Sequence, residues 1–204
     1  GSSYSQLFES SIQYNESSIE KALNLAKNLK ANLGGTDIYE PLENIFKQPN
    51  KFGQRQVFIM TDGEVWNVDQ ILTLVSENSK NNRCFTIGIG RGCDAGLVEG
   101  IANSSGGICN FVQKGDSISE KVIPQLQSSL LEQIESIQIH AEKNDEFQTS
   151  PFPIHSISSK GSCVVYLRSK NKNKNENKFN TNFLITANYA NESIEIPIVQ
   201  INES

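Results

Sequence analysis

The chain has 204 residues, of which 37% are hydrophobic and 20% charged, with a formal net charge of −5. That length suits one full domain plus part of another, and the hydrophobic share makes a packed core feasible. The acidic balance and the lack of a basic stripe argue against nucleic acid as a partner; no run approaches the roughly 18 apolar residues that span a bilayer, and the N-terminus carries no basic-then-apolar signal segment.

In chain order, residues 4–9 read as a short strand. From Ser17 onward, Ile19, Ala22, Leu23, Ala26, Leu29 and Leu33 recur at spacings of three and four. This single apolar stripe, with Lys and Asn opposite, predicts a helix. Gly34-Gly35 is placed to end it, as glycine just past a helix does. Thr36-Asp37 then occupies an N-cap position ahead of a second helical pattern of Ile38, Leu42, Ile45 and Phe46. Residues 50–54 form a polar turn. The run Val57-Phe58-Ile59-Met60, within a strand over 56–61, is continuously apolar, as expected of a parallel strand covered on both faces. Asp62-Gly63 ends it, and Val68, Ile71, Leu72 and Val75 predict the next helix, with Trp66 before it as a helix-packing residue first and a partner contact second.

The cycle repeats. Cys84 to Ile89 is a second buried strand, followed by a glycine-rich turn and a helix carrying Leu97, Val98 and Ile101. Gly106 to Val112 is a third strand, and Ile118 to Ile134 a final amphipathic helix. Strand, turn and helix in this succession predict an α/β fold with a doubly wound, mostly parallel sheet over residues 1–134. Beyond residue 134 the pattern changes to partial alternation at Ile137, Ile139, Val164, Tyr166, Phe183, Ile185, Ile194, Ile196 and Ile198. It is broken by Pro-x-Pro at 151–153 and a Lys/Asn tract at 170–178. Residues 135–204 are therefore expected to be a partial antiparallel β-rich segment, part of a β-sandwich but too short for a complete one.

The cysteines, Cys84, Cys93, Cys109 and Cys163, show no Cys-x-x-Cys spacing, which argues against a zinc site. A chain with its own core does not need disulfides, so reduced, mostly buried thiols in a cytoplasmic setting are expected. Sequons at Asn15, Asn103, Asn191 and Asn202 would suit a secreted protein, but in a chain this rich in Asn and Ser they are expected by chance.

Ligands of open α/β sheets bind beyond the C-terminal ends of the strands. Two polar clusters fall there: Gly34-Gly35-Thr36-Asp37, opening a helix, and Met60-Thr61-Asp62-Gly63, closing a strand. A hydroxyl and a carboxylate converging at that rim are hard oxygen donors suited to Mg²⁺ or Mn²⁺. From spacing alone the plainer alternative stays open, that Thr36 is only an N-cap and Asp62 only a turn former.

Leu33-Gly34-Gly35-Thr36-Asp37, then Phe58-Ile59-Met60-Thr61-Asp62-Gly63-Glu64-Val65, then Arg83-Cys84-Phe85-Thr86-Ile87-Gly88-Ile89-Gly90 follow in order. Together with Gly1-Ser2-Ser3-Tyr4 and Ile101-Ala102-Asn103-Ser104-Ser105-Gly106-Gly107, they resemble von Willebrand factor type A domains of the intracellular "von Willebrand factor A domain-containing protein 5" group. That group is related to inter-alpha-trypsin inhibitor heavy chains and to the A domain of the vault poly(ADP-ribose) polymerase. The resemblance runs from residue 1 to about 135 and more loosely to Gln200. It implies a Rossmann-like fold and a metal-ion-dependent adhesion site in which Thr36 and Asp62 are the metal residues. Gly35, Asp37, Gly63 and Glu64 flank them on the partner-binding surface, with Glu64 reaching the outer shell of the ion or lying in solvent.

The family's third element, an Asp-x-Ser-x-Ser loop after the first strand, does not occur here. Asp116-Ser117-Ile118-Ser119 has the wrong spacing and lies too late. The loop and the first two strands are expected upstream of Gly1, making residues 1–134 an N-terminally incomplete A domain. The chain alone should then hold Mg²⁺ or Mn²⁺ weakly, and one edge of a parallel strand should be uncovered, an aggregation liability.

Other candidates are weaker. Gly88-Ile89-Gly90-Arg91-Gly92-Cys93 resembles a dinucleotide loop only faintly, since Cys93 holds the third glycine position and no acidic residue ends a strand about 20 residues on; a tight turn beside the ligand rim fits better. Cys93 is exposed enough to react, with Arg91 the one neighbour able to lower its pKa. His140 and His155 have no partner at catalytic spacing.

Three functions compete. The first is a non-enzymatic protein-binding module, whose partner supplies an acidic residue to the metal site. The second is a scaffolding domain of a larger enzyme such as a vault-type poly(ADP-ribose) polymerase. The third, a small α/β enzyme, lacks a Gly-x-Ser-x-Gly elbow, a phosphate loop and a usable histidine. The first accounts for most of the motifs; no catalytic residue, nucleic acid or membrane is part of it.

Overall fold

The computed structural model describes residues 1–30, 32–50, 53–131, 133–141, 147–150, 154, 157–158, 162, 164–170, 183–189 and 192–198. His155, Cys163, the Pro-x-Pro, the tract from 171 to 178, and the sequons at Asn191 and Asn202 lie outside them. The chain divides into two compact units, Gly1–Lys121 and Val122–Ser204.

The first unit alternates helices and strands: α1 (Glu16–Asn28), α2 (Tyr39–Lys47), β1 (Arg55–Thr61), α3 (Val68–Asn78), β2 (Asn82–Ile89), α4 (Ala95–Ser105) and β3 (Cys109–Val112). The strands form a parallel sheet in the order β1-β2-β3, each pair joined through a helix, as parallel neighbours require. The α/β class and the parallel sheet are those expected. Helix α5 (Ile118–Ser129) follows, and its sequence runs across the division. It stops short of the expected Ile134, which lies instead in the next strand.

One face of the sheet carries the main core. Val57 of β1 and Cys84 of β2 pack with Ile38 and Leu42, with Ile71 and Val75 of α3, and with Leu97 and Ile101 of α4. On the opposite face Phe58 stacks on Phe85 with ring centroids 4.9 Å apart, and the Arg83 guanidinium lies 4.7 Å from the Phe85 ring centre. β2 is buried from Asn82 to Gly88. β1 is not the doubly covered strand its composition suggests: Phe58 and Ile59 are half-buried and Met60 is 63% exposed. The reason is its place in the sheet, since β2 is its one ladder neighbour among the described residues.

Residues 4–9 form no strand. A strand exists by its ladder, and no ladder partner is described for these residues; just before them, Ser2 N–H donates to Leu33 C=O at 2.6 Å, and Asp37 N–H to Gly1 C=O at 2.9 Å. Helix α1 begins near the expected place because Asn15 and Ser18 form a reciprocal capping box. It ends at Asn28 rather than at the glycines, since Leu29 turns to an extended conformation. No residue of α1 is buried.

The second unit contains β4 (Gln133–Ala141), β5 (Phe147–Ser150), β6 (Ile157–Ser158), β7 (Tyr166–Ser169), β8 (Phe183–Tyr189) and β9 (Glu192–Pro197). The strands pair antiparallel as β6-β4-β8-β9 and β5-β7, in keeping with the expected antiparallel segment. Phe183 and Ala187 are buried, and Phe183 meets Phe147 edge to face at 5.5 Å. Val164 and Ile198 lie outside the strands, while His140 is exposed with its Nε2 2.9 Å from Thr186 Oγ1.

Candidate metal and partner site

The C-terminal ends of β1 and β2 and the loop before α2 come together on one rim. Thr36 leads into α2, but its hydroxyl is not the helix cap: Asp37 Oδ1 accepts from Tyr39 N–H at 3.0 Å and from Glu40 N–H at 3.4 Å. Two amides of the first turn are thus served by Asp37, one residue before the N-cap Ile38, and Thr36 Oγ1 has no hydrogen bond among the described residues. Asp62 is likewise not the turn's hydrogen-bonding residue, because Gly63 N–H approaches Thr61 Oγ1 at 3.4 Å. The Asp62 carboxylate is exposed and makes no hydrogen bond or ion pair among the described residues.

These two loops touch through a glycine. A methyl group at position 63 would lie 2.5 Å from Thr36 Oγ1, so only a bare Cα lets the Thr36 hydroxyl sit beside the residue that follows Asp62. Positions 36 and 62 are therefore on the same side of the molecule. Gly35 and Glu64 flank them, both exposed. Asp37, expected on the partner surface, has one carboxylate oxygen committed to the cap.

The turn after β2 closes the rim from the other side. Gly90 has φ +75°, and a Cβ at Gly92 would come within 3.3 Å of the Asp62 carbonyl oxygen. This segment works as a tight turn, with Asp94 capping α4 by accepting from Leu97 N–H at 3.0 Å. Cys93 Sγ lies 3.4 Å from the Gly90 carbonyl and is half-buried. Trp66 does not pack on a helix as expected: in the segment between β1 and α3 it is 87% exposed.

Sequence reasoning missed two contributors. Ser2 Oγ accepts from Gly35 N–H at 2.9 Å, and Gly92 backs the Asp62 carbonyl. The first is a contact across 33 residues, and nothing in local spacing announces it. A separate open groove of about 510 Å³ runs along α2 and α3, lined by Tyr39, Asp69, Gln70, Thr73, Leu74 and Glu77; it includes none of the rim residues.

The other two described thiols lie away from the rim loops in sequence. Cys84 is buried and free, and burial pushes its thiol up to about 11, with Ser105 pulling the other way. Cys109 is free and half-buried; burial raises it first, the charge of Glu99 second. The Arg83 guanidinium is lowered by burial.

A family model for the von Willebrand factor type A domain matches residues 1–111, more than half of the chain. The chain belongs to the von Willebrand factor type A family. It is 38% identical over 140 residues to von Willebrand factor A domain-containing protein 5A of Homo sapiens, covering 68% of this chain and 18% of that protein. The Rattus norvegicus protein of the same name is 41% identical over 131 residues, covering 64% of this chain and 16% of its own length. A von Willebrand factor A domain-containing protein of Dictyostelium discoideum is 30% identical over 167 residues, 81% of this chain and 18% of its own. The chain thus spans less than a fifth of the length of these relatives.

Membership of the von Willebrand A family suggests a protein-interaction module. Among the described residues no helix is long and apolar enough to cross a membrane, and no group of three or more His, Cys, Asp or Glu is placed to hold a metal ion. The donors on the rim are instead one hydroxyl and one carboxylate, which fit a hard divalent cation by type and fall short of a full shell by number.

Proposed function

We propose that this von Willebrand A domain is a non-enzymatic, cytoplasmic protein-binding module that works through a divalent cation, Mg²⁺ or Mn²⁺, at the rim. Thr36 Oγ1 and the Asp62 carboxylate are the residues that would hold it. The ion, when bound, supplies an open coordination position for a carboxylate of the partner. The observation that supports this reading is the packing of Thr36 Oγ1 on Gly63, with the hydroxyl unclaimed among the described residues and the exposed Asp62 immediately before Gly63 in the chain.

The protein's part is to hold the two oxygens in place before the partner arrives. Asp37 anchors the start of α2, which fixes the residue before it; β1, laddered to β2 as far as Thr61, fixes the start of the loop that carries Asp62; and Gly63 leaves room for Thr36 Oγ1 against that loop. Gly35 and Glu64 then border the surface a partner's Asp or Glu would approach. With two donors from this chain, binding of the ion is weak. Titration with Mn²⁺, followed by the paramagnetic resonance of the free ion, should show shallow uptake by the native chain. Asp62→Ala or Thr36→Val should remove it. Equal uptake by the native chain and Asp62→Ala would end the reading.

A further inference from the structure

The loop that delivers Thr36 is held by the N-terminal segment through three hydrogen bonds. Ser2 N–H donates to Leu33 C=O at 2.6 Å, Asp37 N–H donates to Gly1 C=O at 2.9 Å, and Gly35 N–H donates to Ser2 Oγ at 2.9 Å. The first two are backbone bonds that many side chains at position 2 could keep. The third needs a hydroxyl. The glycines of the loop are matched to that hydroxyl: a Cβ at Gly34 would lie 3.0 Å from Ser2 Oγ and one at Gly35 3.3 Å away, while Gly34 also has φ +82°, a conformation that costs glycine little. The Gly34-Gly35 pair is therefore no helix terminator, since α1 has already ended at Asn28. It is the surface on which the Ser2 hydroxyl sits.

We infer that Ser2 is a positioning residue for the rim, its hydroxyl fixing the Gly34-Gly35 turn so that Thr36 Oγ1 is presented against Gly63. Ser2 itself makes no hydrogen bond to Thr36 or Asp62; among the described residues it acts one residue away, through the Gly35 amide. The inference deepens the metal-site reading and rests on it for its ligand, Mn²⁺. Orienting partners of metal-binding groups influence affinity by about 10- to 100-fold, and a single exposed tie belongs at the lower end.

The test compares the native chain with Ser2→Ala and Ser2→Thr. Ser2→Ala should weaken Mn²⁺ uptake roughly tenfold and speed hydrogen exchange at the Gly35 amide, and Ser2→Thr, which keeps a hydroxyl, should restore both. Thermal melting of all three should coincide, which separates local positioning from loss of fold. Native uptake and native Gly35 exchange in Ser2→Ala would overturn the inference. If the native chain takes up no Mn²⁺, the metal reading fails while the exchange data still decide the role of Ser2: faster exchange in Ser2→Ala that Ser2→Thr reverses supports it, and unchanged exchange overturns it.

Discussion

Helices α1 and α4 both carry an apolar stripe, and their surroundings make them different objects. In α4, Leu97, Val98, Ile101, Ala102 and Ser105 are all buried. It is hydrogen-bonded to the sheet as well: Thr86 Oγ1–H donates to the Val98 C=O at 2.7 Å, and the Cys84 N–H donates to the Ser105 side-chain Oγ at 2.9 Å. In α1 no residue is buried, and Leu23 and Leu25 are exposed. What defines α1 is local, the Asn15–Ser18 capping box and the spacing itself. Periodicity reports which face of a helix can be buried; whether anything buries it depends on the rest of the fold.

The widest separation between the two helices should appear in truncation. Leu97→Ala empties a filled site and should cost about 2–5 kcal/mol, whereas Leu23→Ala should stay within about 0.5 kcal/mol, as for ordinary surface changes. Urea denaturation of the two variants measures both, and similar losses would erase the contrast.

A smaller effect sharpens the α4 side. Cys84, packed under α4, has a folded-state value raised from 9.0 to about 11. Below pH 9 the thiol is neutral in both states. Between there and about 11 the unfolded chain releases a proton the folded chain retains, so stability falls as pH rises. At about 1.4 kcal/mol per unit the loss is on the order of 2 kcal/mol. Native chain and Cys84→Ala, denatured in urea across that window, should diverge in slope, with the flatter profile belonging to the variant.

The smallest effect isolates α1. Asn15→Ala removes the side-chain acceptor for Ser18 N–H at 2.9 Å and should cost about 1 kcal/mol locally. Fraying should show as faster amide exchange in the first turn of α1 with the exchange of α4 unchanged.

The same contrast explains what could be read in the sequence. α3, β2 and α4 are legible because Ile71, Val75, Leu97 and Ile101 repeat at helical spacing and share one core with Cys84, while the rest of the short, mainly apolar stretch from Cys84 is buried in the central strand. Residues 4–9 carry a strand pattern without forming a strand, and β1 reads as doubly covered without being so, because a ladder neighbour is a property of the sheet and not of the segment. At the rim, Thr36 and Asp62 were marked by resemblance. Gly63 as the point of contact, Asp37 rather than Thr36 as the cap, and Ser2 under the glycine turn depend on distances between residues remote in the chain. Trp66 reads as a packing residue because large aromatic surface is usually buried; in the segment before α3 it is exposed instead.

That exposure has a practical consequence. Trp66 is the sole tryptophan of the chain and stands four residues beyond Asp62, so the intrinsic fluorescence reports on this locality alone. Its emission should resemble that of indole in water and be quenched efficiently by iodide. Any macromolecule that settles over this side of the rim would shift the emission to the blue and shield it from quencher, giving a label-free optical signal for docking.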